Sequence, residues 1–394
     1  MMIERDLSAE LALLVEEYPV VAVLGPRQAG KTTLVREKLP GHGYVNLELP
    51  DVREFAQEDP RAFLVEHPAP VILDEIQRVP TLLSYIQAIV DEQGGNGRYV
   101  LTGSHQLELR AAVAQSLAGR SALLTLYPLT IGELAAAGIR FNSFIDYLLH
   151  GFLPRIHDSK QRPAVAYANY YRTYVERDVR QLIRLKDAAL FEKFMKLLAG
   201  RVGQLINFQS LGNDVGVDGK TIKEWLSVLE ASFVVFRLPP YFENFGKRAI
   251  KTPKYYFTEP GLLVWLLGLR EPAQVRRDPL IGSLFENLVV VEALKARVNQ
   301  GESPELYFYR DNHGLEIDLL FRDGPELSAI EAKSASTLHQ RFKDSLARFD
   351  STVKSLSRKI LVYDGEPRHW SDGIEAANWR DVGTRMLETP STES

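Results

Sequence analysis

No cysteine occurs among the 394 residues, so disulfides and cysteine-based zinc or redox centres are excluded. A global positive charge is missing too: 47 Lys and Arg against 51 Asp and Glu give a formal net charge of −4. Any nucleic-acid site must therefore be local rather than a field over the whole surface. Long apolar runs are scarce, and the run GLLVWLLGL at 261–269 is far too short to span a bilayer; no membrane partner is expected. The opening MMIERDLSAE is acidic and polar, unlike a secretory signal, which makes cytoplasm the expected location. Repeats and low-complexity blocks are also lacking. What remains is an ordinary globular composition, 45% hydrophobic and 25% charged, in a chain long enough for two or three domains.

One stretch stands out against that background. Residues 19–24 (PVVAVL) read as a short strand, apolar on both faces as a parallel sheet requires. From Gly25 to Thr32, VAVLGPRQAGKTTLV (21–35) fits G-x-x-x-x-G-K-[ST] between a strand and a helix, the setting in which that motif has meaning. Gly25 and Gly30 permit backbone turns that a Cβ would block. The chain through Pro26, Arg27, Gln28 and Ala29 can then wrap a polyphosphate. Lys31 is placed to reach the β- and γ-phosphates and the Thr32 hydroxyl to ligate Mg²⁺, with Thr33 completing the nucleotide-contacting run. ATP and Mg²⁺ are the expected cofactors.

A second apolar strand, PVILDEIQRVP (70–80), ends in Asp74 and Glu75. A strand buried on both faces can present acids only at its carboxyl end, where ligands bind in such sheets. Asp74 is expected in the Mg²⁺ shell, and Glu75 as the group that orients and deprotonates the attacking water. RYVLTGSHQ (98–106) repeats the design, ending in Thr102, Ser104 and His105. One of the hydroxyls, Thr102 or Ser104, is expected to sense the γ-phosphate, with Ser104 preferred.

Residues 136–275 are mostly helical in pattern and rich in aromatic and basic side chains. In YANYYRTYVERDVRQLIRL (167–185), Tyr167, Tyr170, Tyr171 and Tyr174 recur at helical spacing, which reads as core packing. Arg177, Arg180 and Arg184 are predicted to share a face, either solvated or in contact with phosphate. Downstream, a short helix from Gln209, a turn at Gly216 and a helix begun by Asp218 or Thr221 precede an alternating strand from Phe233 to Leu238. The apolar stripe of the second helix is Ile222, Trp225, Leu226 and Leu229. This order is that of a winged helix, at about 190–255. Lys220, Lys223 and Glu224 are predicted to be exposed, a face that suits either DNA or a protein partner.

The last region opens with LIGSLFENLVVVEALKARV (280–298), read as an amphipathic helix with Glu286 among apolar neighbours. Strands ELYFYR (305–310), LEIDLLF (315–321) and LSAIEAKSA (327–335) follow. Alternation puts Glu316 and Asp318 on one strand face, opposite Leu315, Ile317 and Leu319, and gives Glu331 and Lys333 a common face. Three carboxylates (Glu286, Asp318, Glu331) and a lysine converging there would suit a divalent metal acting on a phosphodiester.

The motifs GPRQAGKTT, VILDEIQ, LTGSHQ, LAGR, LYPLTIGEL, YVERDV, KTPKYYFTEPGLL, GSLFENLVV and EIDLLF…AIEAK resemble, in this order, prokaryotic AAA-type ATPases with a C-terminal domain of unknown function. That domain resembles the PD-(D/E)XK nuclease fold. The resemblance spans nearly the whole chain and implies an α/β multidomain protein. Its parts are a parallel-sheet P-loop ATPase domain (1–135), a helical middle with the winged helix (136–275), a restriction-endonuclease-like α/β domain (276–375) and a tail (376–394). It implies a nucleotide site at Gly25, Gly30, Lys31, Thr32, Asp74 and Glu75. Arg120 of LAGR would touch phosphate at a subunit edge, hence a homo-oligomer formed through the ATPase domain. Glu286, Asp318, Glu331 and Lys333 take the nuclease positions, Asp318 and Glu331 as metal ligands. Glu259 in TEPGLL departs from the usual aspartate and puts the local turn in question. Two functions follow: an ATP-dependent nuclease acting on DNA, or an ATP-driven switch or adaptor whose last domain only binds nucleic acid or a partner.

Overall fold

Apolar strands with both faces buried need helices above and below them, and residues 20–125 satisfy that need. Strands β1 (Val20–Leu24), β2 (Gly43–Asn46), β3 (Val71–Asp74), β4 (Tyr99–Gly103) and β5 (Ser121–Thr125) form one sheet in the order β2-β3-β4-β1-β5. Every pairing in it is parallel. The computed structural model describes residues 3–104, 116–183, 185, 187–241, 252–353 and 356–388. His105, Arg184 and the end of the polar tail lie outside the described residues. Because β4 separates β1 from β3, its carboxyl end lies between the loop after Leu24 and the acids after Leu73.

The middle region is helical, with segments at Phe144–His150, Pro163–Tyr170, Ala188–Ala199, Phe208–Val215 and Gly219–Ala231. Gly216, at φ +105, ends the helix Phe208–Val215 in the left-handed conformation a C-terminal glycine favours. Asp218 caps the next helix through the Thr221 amide, at 2.7 Å. Ile222, Trp225, Leu226 and Leu229 are buried and Lys220 and Lys223 exposed. An antiparallel ribbon of β6 (Val235–Leu238) and β7 (Lys254–Phe257) follows. The four tyrosines of 167–174 are all buried. Of the expected arginine face only Arg177 and Arg180 are among the described residues, and Tyr171–Val179, which carries Arg177, is π-helical. The wider turn shifts the three-to-four spacing on which that face depends, and Arg177 pairs with its neighbour Asp178.

The third region places the helix Ile281–Val298 ahead of β8 (Leu306–Arg310), β9 (Glu316–Asp323) and β10 (Glu326–Lys333), an antiparallel meander. The helix Asp344–Val353 then leads to β11 (Arg358–Tyr363), parallel to β10. Strands β12 (Arg368–His369) and β13 (Ile374–Asn378) complete the order β12-β13-β11-β10-β9-β8. Two expectations are corrected here. The helix Ile281–Val298 is not amphipathic in its setting: every residue from Asn287 to Val298 is buried, Glu292, Lys295 and Arg297 included. It lies between the sheet and the preceding regions and shares one hydrophobic core with both. The alternation in β9 also breaks. Leu319 packs with the large core, whereas Ile317 and Leu320 both pack with the cluster around Phe349. The pairing steps from Tyr307–Leu320 to Tyr309–Ile317, two residues on β8 against three on β9, so the extra residue lies in β9 between Ile317 and Leu320 and re-aims its side chains.

Charges inside that helix are matched. Lys295 Nζ donates to Glu292 at 2.9 Å and to the Leu129 carbonyl at 2.7 Å, above the Phe152 ring. The Glu292 carboxylate also accepts from the Ile131 amide at 2.8 Å. Removing one partner of a buried pair strands the other, at a cost of about 3–5 kcal/mol. Glu292→Ala should therefore lower stability by that order in denaturant unfolding. The double change Glu292→Leu, Lys295→Met should cost clearly less.

Candidate functional site

The loop after β1 is shaped by backbone geometry before any ligand is considered. Gly25 has φ +151, and a Cβ there would lie 2.1 Å from the Leu126 carbonyl oxygen, so no other residue fits. Gly30, at φ +95, begins the helix Lys31–Lys38. Gln28 and Glu75 are left-handed non-glycine residues, at φ 63 and 59. Such conformations cost about 1–3 kcal/mol each and collect at working sites.

Around this loop the expected polar groups converge. Lys31 is buried and donates to the Gly25 and Pro26 carbonyls, both at 2.9 Å. Burial pushes its ammonium down to about 8, against the opposing charges of Glu75 and Asp74. The Thr32 hydroxyl lies 3.0 Å from both Asp74 oxygens. Tyr44 donates to Asp74 at 2.8 Å, and Thr102 also hydrogen-bonds that carboxylate. A hydroxyl facing a carboxylate, both hard oxygen donors, fits Mg²⁺. Glu75 is held by Gln77 and lies 3.3 Å from the Ser104 hydroxyl. The cleft has a volume of about 650 Å³ and continues past Arg27, Gln28 and Thr33 to Leu129, Pro154, Arg155, Asp158 and Tyr174.

Other residues escaped the motif reading. Arg5 is buried and clamps three places at once: the Ala29 carbonyl (2.7 Å), the Tyr127 carbonyl (2.7 Å) and Glu133 (3.0 Å). Arg27 pairs with Asp178 of the π-helical segment at 2.9 Å, tying the P-loop to the middle region. No spacing rule links positions so far apart. Arg120 does not join the cleft of its own chain. It precedes β5, whose Ser121 is level with Val20 and whose Thr125 is level with Leu24. It thus lies at the amino end of the strands, opposite the end that carries the P-loop and roughly 13 Å away along them, paired with Asp91.

The four C-terminal candidates are brought together, but not as a three-carboxylate metal centre. Among the described residues, no group of three or more His, Asp or Glu side chains is placed to hold a metal ion. The reason is Lys254 of β7, which is 1% exposed. It lies 2.9 Å from Glu286 and 2.7 Å from Glu316, while Tyr256 donates to Glu286 at 2.5 Å. Lys333 pairs with Glu331 at 2.6 Å, and Asp318 accepts the Ala332 amide at 2.9 Å. Burial raises both Glu286 and Glu331 well above the ordinary carboxylate range, and Asp318 adds to each. Burial works against the charge of Lys254, yet Tyr256, Glu286, Asp318 and Glu316 hold it well above its ordinary value. The TEPGLL turn is intact. Glu259 is buried and caps the helix Pro260–Leu266, accepting from Gly261 (3.1 Å), Phe152 (3.0 Å) and Tyr167 (2.8 Å).

A five-stranded parallel sheet with this loop defines the first domain as an AAA-type P-loop ATPase, and the family model described as "AAA domain" matches residues 17–135. Two domains of unknown function, DUF8612 and DUF4143, match residues 141–273 and 281–382. Uncharacterized proteins of Mycobacterium tuberculosis and Mycobacterium bovis are each 32% identical over 376 residues, 93% of this chain and 82% of theirs. The chain belongs to the family of these mycobacterial proteins. An uncharacterized protein of Haemophilus influenzae is 25% identical over 92% of this chain and 93% of its own. Among solved structures, a Walker-type ATPase of Pyrococcus abyssi is similar at TM-score 0.45 and 14% identity, covering 67% of this chain and 96% of that one. AMPPCP-bound DnaA from Aquifex aeolicus is similar at TM-score 0.27 and 13% identity, covering 57% and 85%. No described helix is long and apolar enough to cross a membrane.

Lys31 gives the site a pH signature. With its folded, nucleotide-free value near 8, bound phosphates would restore the charge, so binding takes up a proton above that pH. ATP affinity should therefore hold below pH 8 and fall as pH rises past it. Calorimetry in buffers of different ionisation enthalpy at pH 7 and pH 9 should report proton uptake only at the higher pH.

Proposed function

We propose that this protein hydrolyses ATP at the P-loop and uses the cycle to control a C-terminal domain of PD-(D/E)XK nuclease type that meets DNA. The observation that carries the ATPase half is the Thr32–Asp74 juxtaposition, 3.0 Å to each carboxylate oxygen, beside Glu75 in its left-handed conformation. Thr32 and Asp74 would hold Mg²⁺, which when bound offsets phosphate charge. Lys31 exchanges the carbonyls of Gly25 and Pro26 for phosphate oxygens. Glu75, fixed by Gln77 and Ser104, orients the water and takes its proton, with Ser104 within reach of the γ-phosphate. Arg120, remote from its own P-loop, would serve a neighbouring subunit's nucleotide. The nuclease reading is supported by the order helix, three-stranded meander, helix and parallel strand, with Glu286, Asp318, Glu331 and Lys333 at matching places on it. As arranged, the carboxylates do not fit a metal, because Lys254 and Tyr256 take up Glu286, so no cleavage step is assigned. That same observation favours the second reading, an ATP-driven switch or adaptor in the cytoplasm. The middle region is read as a winged helix with Lys220 and Lys223 toward DNA.

Lys31→Ala should lose nucleotide binding. Glu75→Gln should bind ATP but turn it over ~10²–10⁴-fold more slowly, the usual loss when a general base is removed. Wild-type turnover by Glu75→Gln would end the assignment. Sedimentation should show ATP-promoted assembly, and an unchanged monomer would rule out Arg120 acting across subunits.

Lys220 and Lys223 test the DNA half. Neutralising both should weaken binding whatever the DNA sequence and reduce the salt slope by up to ~2, if each contacts one phosphate. An unaltered slope would point to a protein partner for this face.

A further inference from the structure

We infer that Lys254 is the resident cation of the C-terminal carboxylate cluster and excludes a divalent metal from it. The inference rests on reading Asp318 and Glu331 as the metal-facing pair. Lys254 comes from the middle region, not from the domain it neutralises. It is the first residue of β7, faces Leu238 across the ribbon and bridges to Leu205. Its Nζ lies between Glu286 and Glu316, 5.4 Å from the Phe308 ring centroid.

Charge matching explains why a metal and Lys254 would compete. Glu286, Glu316, Asp318 and Glu331 meet Lys254, Arg310 (3.0 Å from Glu316) and Lys333. Four carboxylates already face three cations, so a dication added to this partly buried place would meet repulsion from Lys254. Taking Lys254 away removes that repulsion and leaves four carboxylates facing two cations. It also frees Glu286 beside the Asp318–Glu331 pair. Glu331 is buried beside Asp318, with Lys333 at 2.6 Å as its ion-pair partner.

Backbone and side-chain bonds fix the ribbon, and with it Lys254, against the C-terminal region. Beyond β6, Tyr241 donates its amide to the Phe308 carbonyl at 2.7 Å, and the Phe308 amide donates to Pro239 at 3.1 Å. These two backbone bonds join the ribbon to the edge strand β8. On its inner side β7 is held by Asn287, whose side chain accepts from the Phe257 amide at 2.8 Å and donates to its carbonyl at 3.0 Å. Asn287 sits next to Glu286, so the helix that carries the cluster's first acid also grips the strand that carries its lysine.

Mn²⁺ titrated calorimetrically into the nucleotide-free full chain tests this, with Asp318→Asn as the reference for binding elsewhere, the P-loop included. Wild type and Asp318→Asn should give the same heats. Lys254→Met should gain a Mn²⁺ site at least about tenfold tighter than anything in the wild type, and adding Asp318→Asn should remove it. Lys254→Arg, which keeps the charge, should gain nothing. Mn²⁺ should also raise the melting temperature of Lys254→Met and not that of the wild type. If Lys254→Met does not fold, Lys254→Gln carries the same expectation with a polar side chain. A wild-type Mn²⁺ site that Asp318→Asn abolishes, or no gained site in a folded, uncharged Lys254 variant, overturns the inference. DNA cleavage by the same proteins bears on the nuclease reading alone. No cleavage by Lys254→Met with its Mn²⁺ site intact would end that reading and leave the lysine's role standing.

Discussion

The Glu292–Lys295 pair is the constraint on which the rest of the arrangement hangs. A helix buried on every side can carry charge only if each charge finds its partner within the protein. Glu292 and Lys295 find theirs in each other and in the backbone at Leu129 and Ile131. Those two backbone groups belong to the turn that Thr130 and Glu133 close as a capping box. Glu133 in turn holds Arg5, which holds the Ala29 carbonyl inside the P-loop. The nucleotide loop and the central helix of the last domain are thus joined by an unbroken set of buried polar contacts. Neither could shift far without leaving a buried charge unpaired.

The two carboxylate sites show how differently one residue type is used. At the P-loop, Asp74 faces hydroxyls from Thr32, Tyr44 and Thr102, groups that can yield to a metal because they carry no charge. In the last domain the acids face ammonium and guanidinium groups, which oppose one. The difference between the two sites comes from what the neighbouring domain inserts, a cleft in one case and Lys254 in the other.

Packing also sets where motion can arise. The middle region touches the P-loop through Arg27 and Asp178 and touches the C-terminal acids through Lys254 and Tyr256. Between these points runs the π-helical segment, whose Tyr174 hydroxyl reaches the Ser232 carbonyl at the end of the helix Gly219–Ala231. A segment with an extra residue in its turn is a natural place for register to change. This region therefore spans both candidate sites rather than merely linking two domains.

Local pattern determined a good deal. The apolar strands, the glycines of the P-loop, the placing of Asp74 and Glu75 at a strand's carboxyl end and the helix caps at Asp218 and Gly216 follow from short-range sterics and hydrogen bonding. Those rules act within a few residues, so they can be read from a few residues. Alternation also put Glu331 and Lys333 on one side. Only the tertiary structure decided that the helix Ile281–Val298 is enclosed, since enclosure depends on what packs against its second face. It alone broke the alternation in β9, through an extra residue between Ile317 and Leu320, and kept Arg120 from its own nucleotide cleft, because β5 runs parallel to β1 and Arg120 precedes its start. It alone brought Arg5 to the P-loop and Lys254 among the acids. Lys254 lies 32 residues before Glu286, and its meeting with that acid is fixed by the ribbon's docking against β8. Charge neutralisation across such distances leaves no periodic trace in a sequence, because Coulomb attraction depends on separation in space and not along the chain.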